Sequence, residues 1–452
     1  MARTTRSRDG TGTVETLEPR QLLSAVGAPT RALARASAPQ RHAAHVVSLS
    51  HGARRRPRRL LMLRPGWSGP IVITHGGTYR GRWQSLDPNT PAVTIDTTEP
   101  VVIVNSSVRS ASDGIVDGVD GVNLTVLRTT GWGLNPGVAG RRPGRFVSIE
   151  HFVRIDIENC TLAHTSGIYL GYYIGDHTPA MSVRVLRNVA LDIDGRYSNG
   201  QGGFLTGPND HDDVQFCQLA YVEGVPGIQI AWNQVVNQPY QSRVEDNISI
   251  FRSSGTAESP ILIYDNYVQG AYPADPATQD YSGGGIMLAD GAASTPDQES
   301  AYVQAYDNQI VSTTNYGISI TTGRDCSFYV NRIVSSGYLG DGTWIAAQNV
   351  GASVWNSNAD PLFANNLAYA NVIGWMHKDD AGLVSRNDQW APGVIGTELN
   401  IPLPDPITRQ TESAEYLIWV QKLAQNHVSV GTSPAARRLA ALGRLTPANI
   451  AS

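Results

Sequence analysis

Asp246-Asn247-Ile248-Ser249-Ile250, followed by Pro260-Ile261-Leu262-Ile263, is the stretch on which the fold of this chain turns. Both runs are short, alternate in polarity and open on an Asn or a small residue. Alternation places every second side chain on one face, which is the period of a strand. A helix would show apolar positions three and four apart over a dozen residues. Outward from here both signatures recur. The Asn form begins at Asn123, Asn159, Asn188, Cys217, Asn247, Asn266, Asn308, Asn331 and Asn366, with Cys217 in an Asn slot. The second form recurs as Gly167-Ile168-Tyr169-Leu170, Gly227-Ile228-Gln229-Ile230, Gly285-Ile286-Met287-Leu288 and Gly317-Ile318-Ser319-Ile320, with Phe204 and Ile345 as further members.

Steps of 19 to 42 residues in the first series and 24 to 36 in the second are periods of one supersecondary unit. The expectation is an all-β chain, a right-handed parallel β-helix of about eight coils, roughly 35 to 40 Å long at the usual strand spacing. The repeated Asn is read as structural. A short amide side chain at a sharp bend satisfies backbone groups, tolerates left-handed geometry, and stacks into a ladder from coil to coil.

The nominal net charge of −4 hides an asymmetry: residues 1–64 carry thirteen Arg against three acids, and the remainder is −14. An acidic body argues against a nucleic-acid surface. Three cysteines, Cys160, Cys217 and Cys326, make no disulfide framework. No apolar run is long enough to span a membrane as a helix. The expected organisation is a basic, unstructured tail over 1–64, the β-helix over 65–380, and a loop and helical cap on the solenoid's end over 381–452. In that last part, Glu412, Ala414, Leu417, Ile418, Val420, Leu423 and Ala424 pattern a helix over 413–427, and 434–445 reads as a second. Arg54 to Arg59 reads as a solvated basic linker.

Two resemblances add to this. Leu17-Glu18-Pro19-Arg20-Gln21-Leu22-Leu23 resembles the LEPR-XLL motif near the N-termini of exported planctomycete proteins, which implies export to the cell surface or the medium. The repeats, with the short strands from Gly69 to Ser106, resemble bacterial β-helix proteins of the pectin-lyase-like superfamily. That resemblance implies the fold and leaves activity open, since the architecture hosts lyases, hydrolases, epimerases, esterases and adhesive proteins.

In a β-helix, residues just after equivalent strands of successive coils line one groove. Those residues are Tyr172, Tyr173, Asp176, His177, Asn209 to Asp213, Trp232, Asn233, Tyr264, Asp265, Asp290, Arg324, Asp325, Gln348 and Asn349. Aromatics and carboxylates in one groove suit a polysaccharide: sugar rings stack on the aromatics and hydroxyls bond to the acids. The expected substrate-binding set is Tyr172, Tyr173, Asp176, His177, Trp232, Asn233, Tyr264, Asp290 and Arg324. The expected catalytic centre is Asp210, His211, Asp212 and Asp213, as acid and base carboxylates of a glycosidase with His211 assisting. The same cluster admits a second reading, a Ca2+ site on Asp210 and Asp212. Asp212-Asp213 resembles the Asp pair of polygalacturonase-like hydrolases, although that family's Gly-His-Gly and Arg-x-Lys are absent. Only Lys378 and Lys422 occur, at or beyond the last coil, which disfavours a lyase using a groove lysine. Three functions therefore stand as alternatives: a polysaccharide hydrolase, a Ca2+-dependent uronate lyase or epimerase, and a non-enzymatic adhesive or spacer solenoid.

Overall fold

The structure, a computed structural model, describes residues 66–444 apart from 179–181, 281–282, 294, 358, 395 and 443. The Leu17–Leu23 motif, the tail over 1–64 and Arg54 to Arg59 fall outside the described residues. Short strands stack in parallel into three sheets, the arrangement expected of a β-helix. Sheet I runs from Ile71–Ile73 through Gly167–Tyr173, Gln215–Ala220, Ile248–Phe251, Gly284–Asp290 and Tyr316–Ile320 to Val350–Val354. Sheet II runs from Gly77–Tyr79 through Val183–Leu186, Ile228–Ala231, Ile261–Tyr264, Val303–Tyr306 and Ser327–Tyr329 to Leu367–Tyr369. Sheet III runs from Arg82–Ser85 through Val189–Leu191, Gln234–Val236, Tyr267–Ala271, Gln309–Thr313 and Arg332–Ser335 to Val372–Lys378.

Each of ten coils gives one strand to each sheet, the long strand Val147–Glu158 turning a corner to serve sheets I and II both. Ten coils replace the expected eight. The two extra coils precede Asn123, and their bends between sheets II and III carry Gly81 and Ser106 in place of Asn. The inward residues, such as Ile248, Ile286 and Ile318 of sheet I, form one continuous apolar core.

The strand series read from the sequence mixes two faces. Ile168, Ile286 and Ile318 belong to sheet I, but Ile228 and Ile261 belong to sheet II. Phe204 and Ile345 lie outside the three sheets. Both kinds of strand follow a small residue at a bend and both bury alternate aliphatics, so local pattern cannot tell them apart.

The Asn ladder exists with a different membership. It comprises Asn188, Asn233, Asn266, Asn308, Asn331, Asn371 and Asn400 at the corner between sheets II and III. In each pair, Oδ1 accepts from both the backbone N–H and the Nδ2 of the Asn one coil earlier, at 2.9–3.0 Å. Cys160 holds the preceding rung, its N–H bonded to Asn188 Oδ1. From Asn188 to Asn371 the left-handed residue is the one before each rung: Arg187, Trp232, Asp265, Asp307, Val330 and Ala370. Asn123 and Cys217 lie within strands, Cys217 buried in the core, and Asn366 bonds to Cys326 at another corner. All three cysteines are free and buried, and burial pushes each thiol up to about 12.

Two C-terminal helices are present, α1 (Arg409–Gln425) and α2 (Pro434–Ala441). They do not cap an end. They lie along the outer flank of sheet III, from Arg332 back to Thr161. The C-terminal end is instead continued by Gln389–Trp390 and Ile401–Pro402, which add to sheets I and III. The buried face of α1 is Glu412, Glu415, Trp419 and Leu423, while Leu417 is 63% exposed. Apolar patterning alone missed this face because sheet III offers polar partners. Arg332 makes two bonds to the Glu415 carboxylate, Gln309 adds another, and the indole of Trp419 donates to Gln234 at 3.1 Å. Around Trp419 the two helices and Val189, Leu191, Val236 and Tyr267 make a second apolar cluster. Trp419→Phe keeps much of that packing but leaves Gln234 Oε1 without its donor. It should cost about 1–2 kcal/mol in urea unfolding, with the midpoint lowered.

Candidate functional site

The sequence-derived residues divide among several faces. Trp232 and Asn233 sit at the ladder corner, Trp232 packed 6.1 Å from Trp419 and Asn233 fully buried. Tyr264 belongs to a ribbon on sheet II, Tyr264, Tyr306, Tyr329 and Tyr369, stacked at 5.1–5.3 Å with planes within 10° of parallel. Rings stacked on one another offer edges and no free face, so this ribbon supports the coils. Tyr172 on sheet I is likewise sandwiched, by His151 at 5.3 Å and Tyr221 at 4.9 Å, and Tyr173 is packed edge-on against Phe152 and His177. His177 bonds to the Gly224 carbonyl and Asp176 to the Thr178 amide, both in the exposed turn after sheet I. Arg324 lies at a different corner, paired with Asp325 at 2.8 Å and laid over Tyr302, on the rim of a cavity of about 490 Å³. The expected sugar platforms Tyr172, Tyr173, Trp232 and Tyr264 therefore do not share a groove.

The Asp210–Asp213 loop also disperses its acids. Asp210 Oδ2 accepts from the Gly207 amide within its own turn. Asp212 accepts from the Tyr197 hydroxyl at 2.6 Å and pairs with Arg142 at 3.1 Å. Asp213 pairs with the buried guanidinium of Arg243 at 2.8 Å, with His211 3.6 Å away. Burial, and then the Arg243 charge, push the His211 imidazole below its usual value. Asp210 and Asp212 thus face different partners, and among the described residues no three His, Cys, Asp or Glu side chains gather as metal ligands. The expected Ca2+ site on Asp210 and Asp212 does not form, because each carboxylate already has a local donor or a guanidinium.

On sheet I, Asp290 stands in register with Phe251 and feels the charge of Asp213, which precedes the strand Gln215–Ala220 two coils earlier. Asp290 ends the strand Gly284–Asp290, and its Oδ1 accepts from Gly291, whose φ of +74° turns the amide back onto the carboxylate. Burial raises the Asp290 carboxyl above the ordinary range; the Gly291 amide pulls it back and the charge of Asp213 pushes it up again. Between them in coil order lies Asp246, buried, accepting from Gly284 N–H at 2.7 Å and from the Tyr316 hydroxyl. Burial, and then the charge of Glu245, raise Asp246 well above the usual carboxyl value. Three carboxyl groups of coils six to eight therefore share one electrostatic neighbourhood, and Asp213 is the one with a guanidinium partner.

Sheet pairing extends this site along the coils. Ser249, Met287, Ser319, Ser353 and Trp390 stand in register along the outer face of sheet I. The three serines and Met287 make a narrow floor. At its C-terminal end a cleft of about 240 Å³ is lined by Tyr316, Ser319, Thr321, Asn349, Trp355 and Trp390 among others. Trp355 and Trp390 are 40% and 46% exposed, with centroids 4.8 Å apart and planes inclined by 56°.

Asp213 and Asp290 are among the residues expected from the sequence, and Asp246, Tyr316, Trp355 and Trp390 are not. Asp246 was absorbed into an Asn motif read as structural. The signal available was Glu245-Asp246, two consecutive acids directly before a buried strand. Trp355 closes Gly351-Ala352-Ser353-Val354, another copy of the small-then-alternating pattern. No family model matches the chain, and no curated protein is similar to it in sequence.

Proposed function

We propose that the outer face of sheet I binds a polysaccharide and cleaves it by carboxyl chemistry, in a protein exported from the cell. The observation that carries this is the set of carboxyl groups of sheet I in unequal surroundings, Asp290 and Asp213 foremost. One carboxyl is raised toward the protonated form, and the other is ion-paired to Arg243 beside it. Asp290 serves as proton donor to the leaving oxygen and Asp213 as the ionised base or nucleophile, the division of labour of a glycoside hydrolase. Asp246 and Tyr316 are hydrogen-bonded to each other on the same sheet, and Trp355 and Trp390 supply the stacking surface that the tyrosines do not. The acidic body favours a neutral glycan. The resemblance of the repeats to the pectin-lyase-like superfamily and of residues 17–23 to an export motif support the same reading.

The test is reducing-end release and unsaturated-product absorbance over a panel of neutral and uronic polysaccharides, with binding measured in parallel. Hydrolysis without unsaturated product is expected. Trp355→Ala/Trp390→Ala should weaken binding about tenfold or more at unchanged melting temperature, since both rings are surface groups. A panel that is neither bound nor cut would sink the proposal and leave a spacer or adhesive solenoid.

A further inference from the structure

A polar cleft separate from the residues assigned so far lies where four chain segments enter sheet I. Its walls come from Pro88, from 111–113, from 140–144 and from Asp212, on the segments leading into Val93–Ile95, Ile115–Asp117, Val147–Glu158 and Gln215–Ala220. The cleft measures about 220 Å³. Two glycines shape it. A side chain at Gly144 would overlap the Ser112 carbonyl, so the two segments close tightly there, whereas nothing stands within 4 Å of a side chain added at Gly140. The charged groups of the lining are balanced, Arg141 and Arg142 against Asp113 and Asp212, in a body that is strongly acidic. Each is anchored by the protein. Arg142 Nε pairs with Asp212 Oδ2 at 3.1 Å, and the Tyr197 hydroxyl donates to Asp212 Oδ1 at 2.6 Å. Arg141 Nη1 donates to Asn89 Oδ1, and the Arg145 amide to Asp113 Oδ1, both at 2.6 Å. The second oxygen of Asp113 and the remaining nitrogens of Arg141 have no hydrogen-bond partner among the described residues.

Fixed donors and acceptors with no net charge and no aromatic ring suit a neutral ring rich in hydroxyls, and suit neither an ion nor a stacked ligand. The cleft adjoins the outer face of sheet I. Gly144 lines it, and the guanidinium of the next residue, Arg145, lies 4.7 Å over the ring of Tyr169. Tyr169 stands in the row that continues through Gln218 and Ser249 to Ser353 and Trp390, six pairing steps along the solenoid. Those steps span about 29 Å at the usual strand spacing. We propose that this cleft is an anchoring subsite for one sugar unit of a neutral glycan, held through its hydroxyl groups at the opposite end of the sheet I face from Trp355 and Trp390. The inference rests on the reading of that face as a glycan-binding surface. It also divides the labour of recognition. Tryptophans accept any sugar that presents a flat face, whereas paired guanidinium and carboxylate groups select the configuration of individual hydroxyls.

The experiment is calorimetric titration of the full chain with cellohexaose, mannohexaose and xylohexaose, repeated on Arg142→Ala, Gly140→Asn and Trp355→Ala/Trp390→Ala, with melting temperatures measured alongside. Gly140→Asn keeps every charged group and fills the open side of the cleft, and Asn tolerates the left-handed backbone at this position, where φ is +77°. Wild type should prefer one hexaose by about tenfold or more. Both cleft variants should bind that hexaose about tenfold or more weakly and lose the preference, with melting temperatures within a few degrees of wild type. The tryptophan double variant should weaken all the hexaoses it binds alike. Cleft variants that bind as wild type does, while the tryptophan variant loses binding, would overturn the cleft and leave the glycan-binding face standing. A wild type that binds none of the hexaoses would overturn the cleft as well, and silence of the polysaccharide panel too would remove the glycan reading with it.

Discussion

Asp290→Asn should lower polysaccharide cleavage by about 10²- to 10⁴-fold, the usual contribution of a positioned proton donor, while leaving glycan binding within a factor of about two. The asparagine still accepts from Gly291, so the strand end keeps its shape. The pH profile carries the sharper test. A donor must be protonated, and Asp290 titrates above the ordinary carboxyl range. Wild-type activity should therefore fall as pH rises through that raised value, and the variant should lose this limb. Stability should move the opposite way. A carboxyl whose folded pKa is raised contributes stability that is complete below its unfolded value and is lost as pH climbs through the folded one. Asp290→Asn carries no such loss, and above that range it should melt higher than wild type. Unchanged kcat, or an unchanged alkaline limb, would remove Asp290 from the chemistry.

Asn308→Ala should destabilise the solenoid by roughly 3–5 kcal/mol, because it removes an acceptor and a donor at a fully buried corner. The Asn266 amide and Nδ2 lose Asn308 Oδ1, and the Ile263 carbonyl and Asn331 Oδ1 lose Asn308 Nδ2. Asn123→Ala is the matched control. Asn123 belongs to the same sequence pattern but lies within the strand Val122–Leu127, half-buried on its outer side. It should change stability by no more than about 0.5 kcal/mol. Equal costs at the two positions would mean that the ladder carries no special share of the fold's stability.

The repeat, the strand character and the parallel stacking were legible in runs such as Ile248-Ser249-Ile250, since alternation and period are local properties. The assignment of each run to a face was not. A three-sided coil has two kinds of strand that begin alike, and only stacking register separates Ile228 from Ile286. The error propagated to the site: placing all strand ends in one groove put Trp232, Asn233 and Tyr264 beside Asp290, which stands in register with Phe251 on sheet I. Ladder membership was obscured for a related reason. The bend is marked by a left-handed residue of almost any type, Trp232 or Ala370 as readily as Asp265, so an Asn at the start of an apolar run is ambiguous between rung and strand. Trp355 and Trp390 were invisible as a pair because they are brought together only by the pairing of Ser353 with Trp390.

The placement of α1 and α2 also bears on the order in which the molecule can be finished. Synthesis delivers the coils before the segment from Arg409, yet that segment covers Val189, Leu191, Val236 and Tyr267 on coils made long before it. Until it arrives, the nascent solenoid presents an oily strip together with the unneutralised Arg332. A chain cut short anywhere before residue 409 would keep that strip open to other chains or to chaperones.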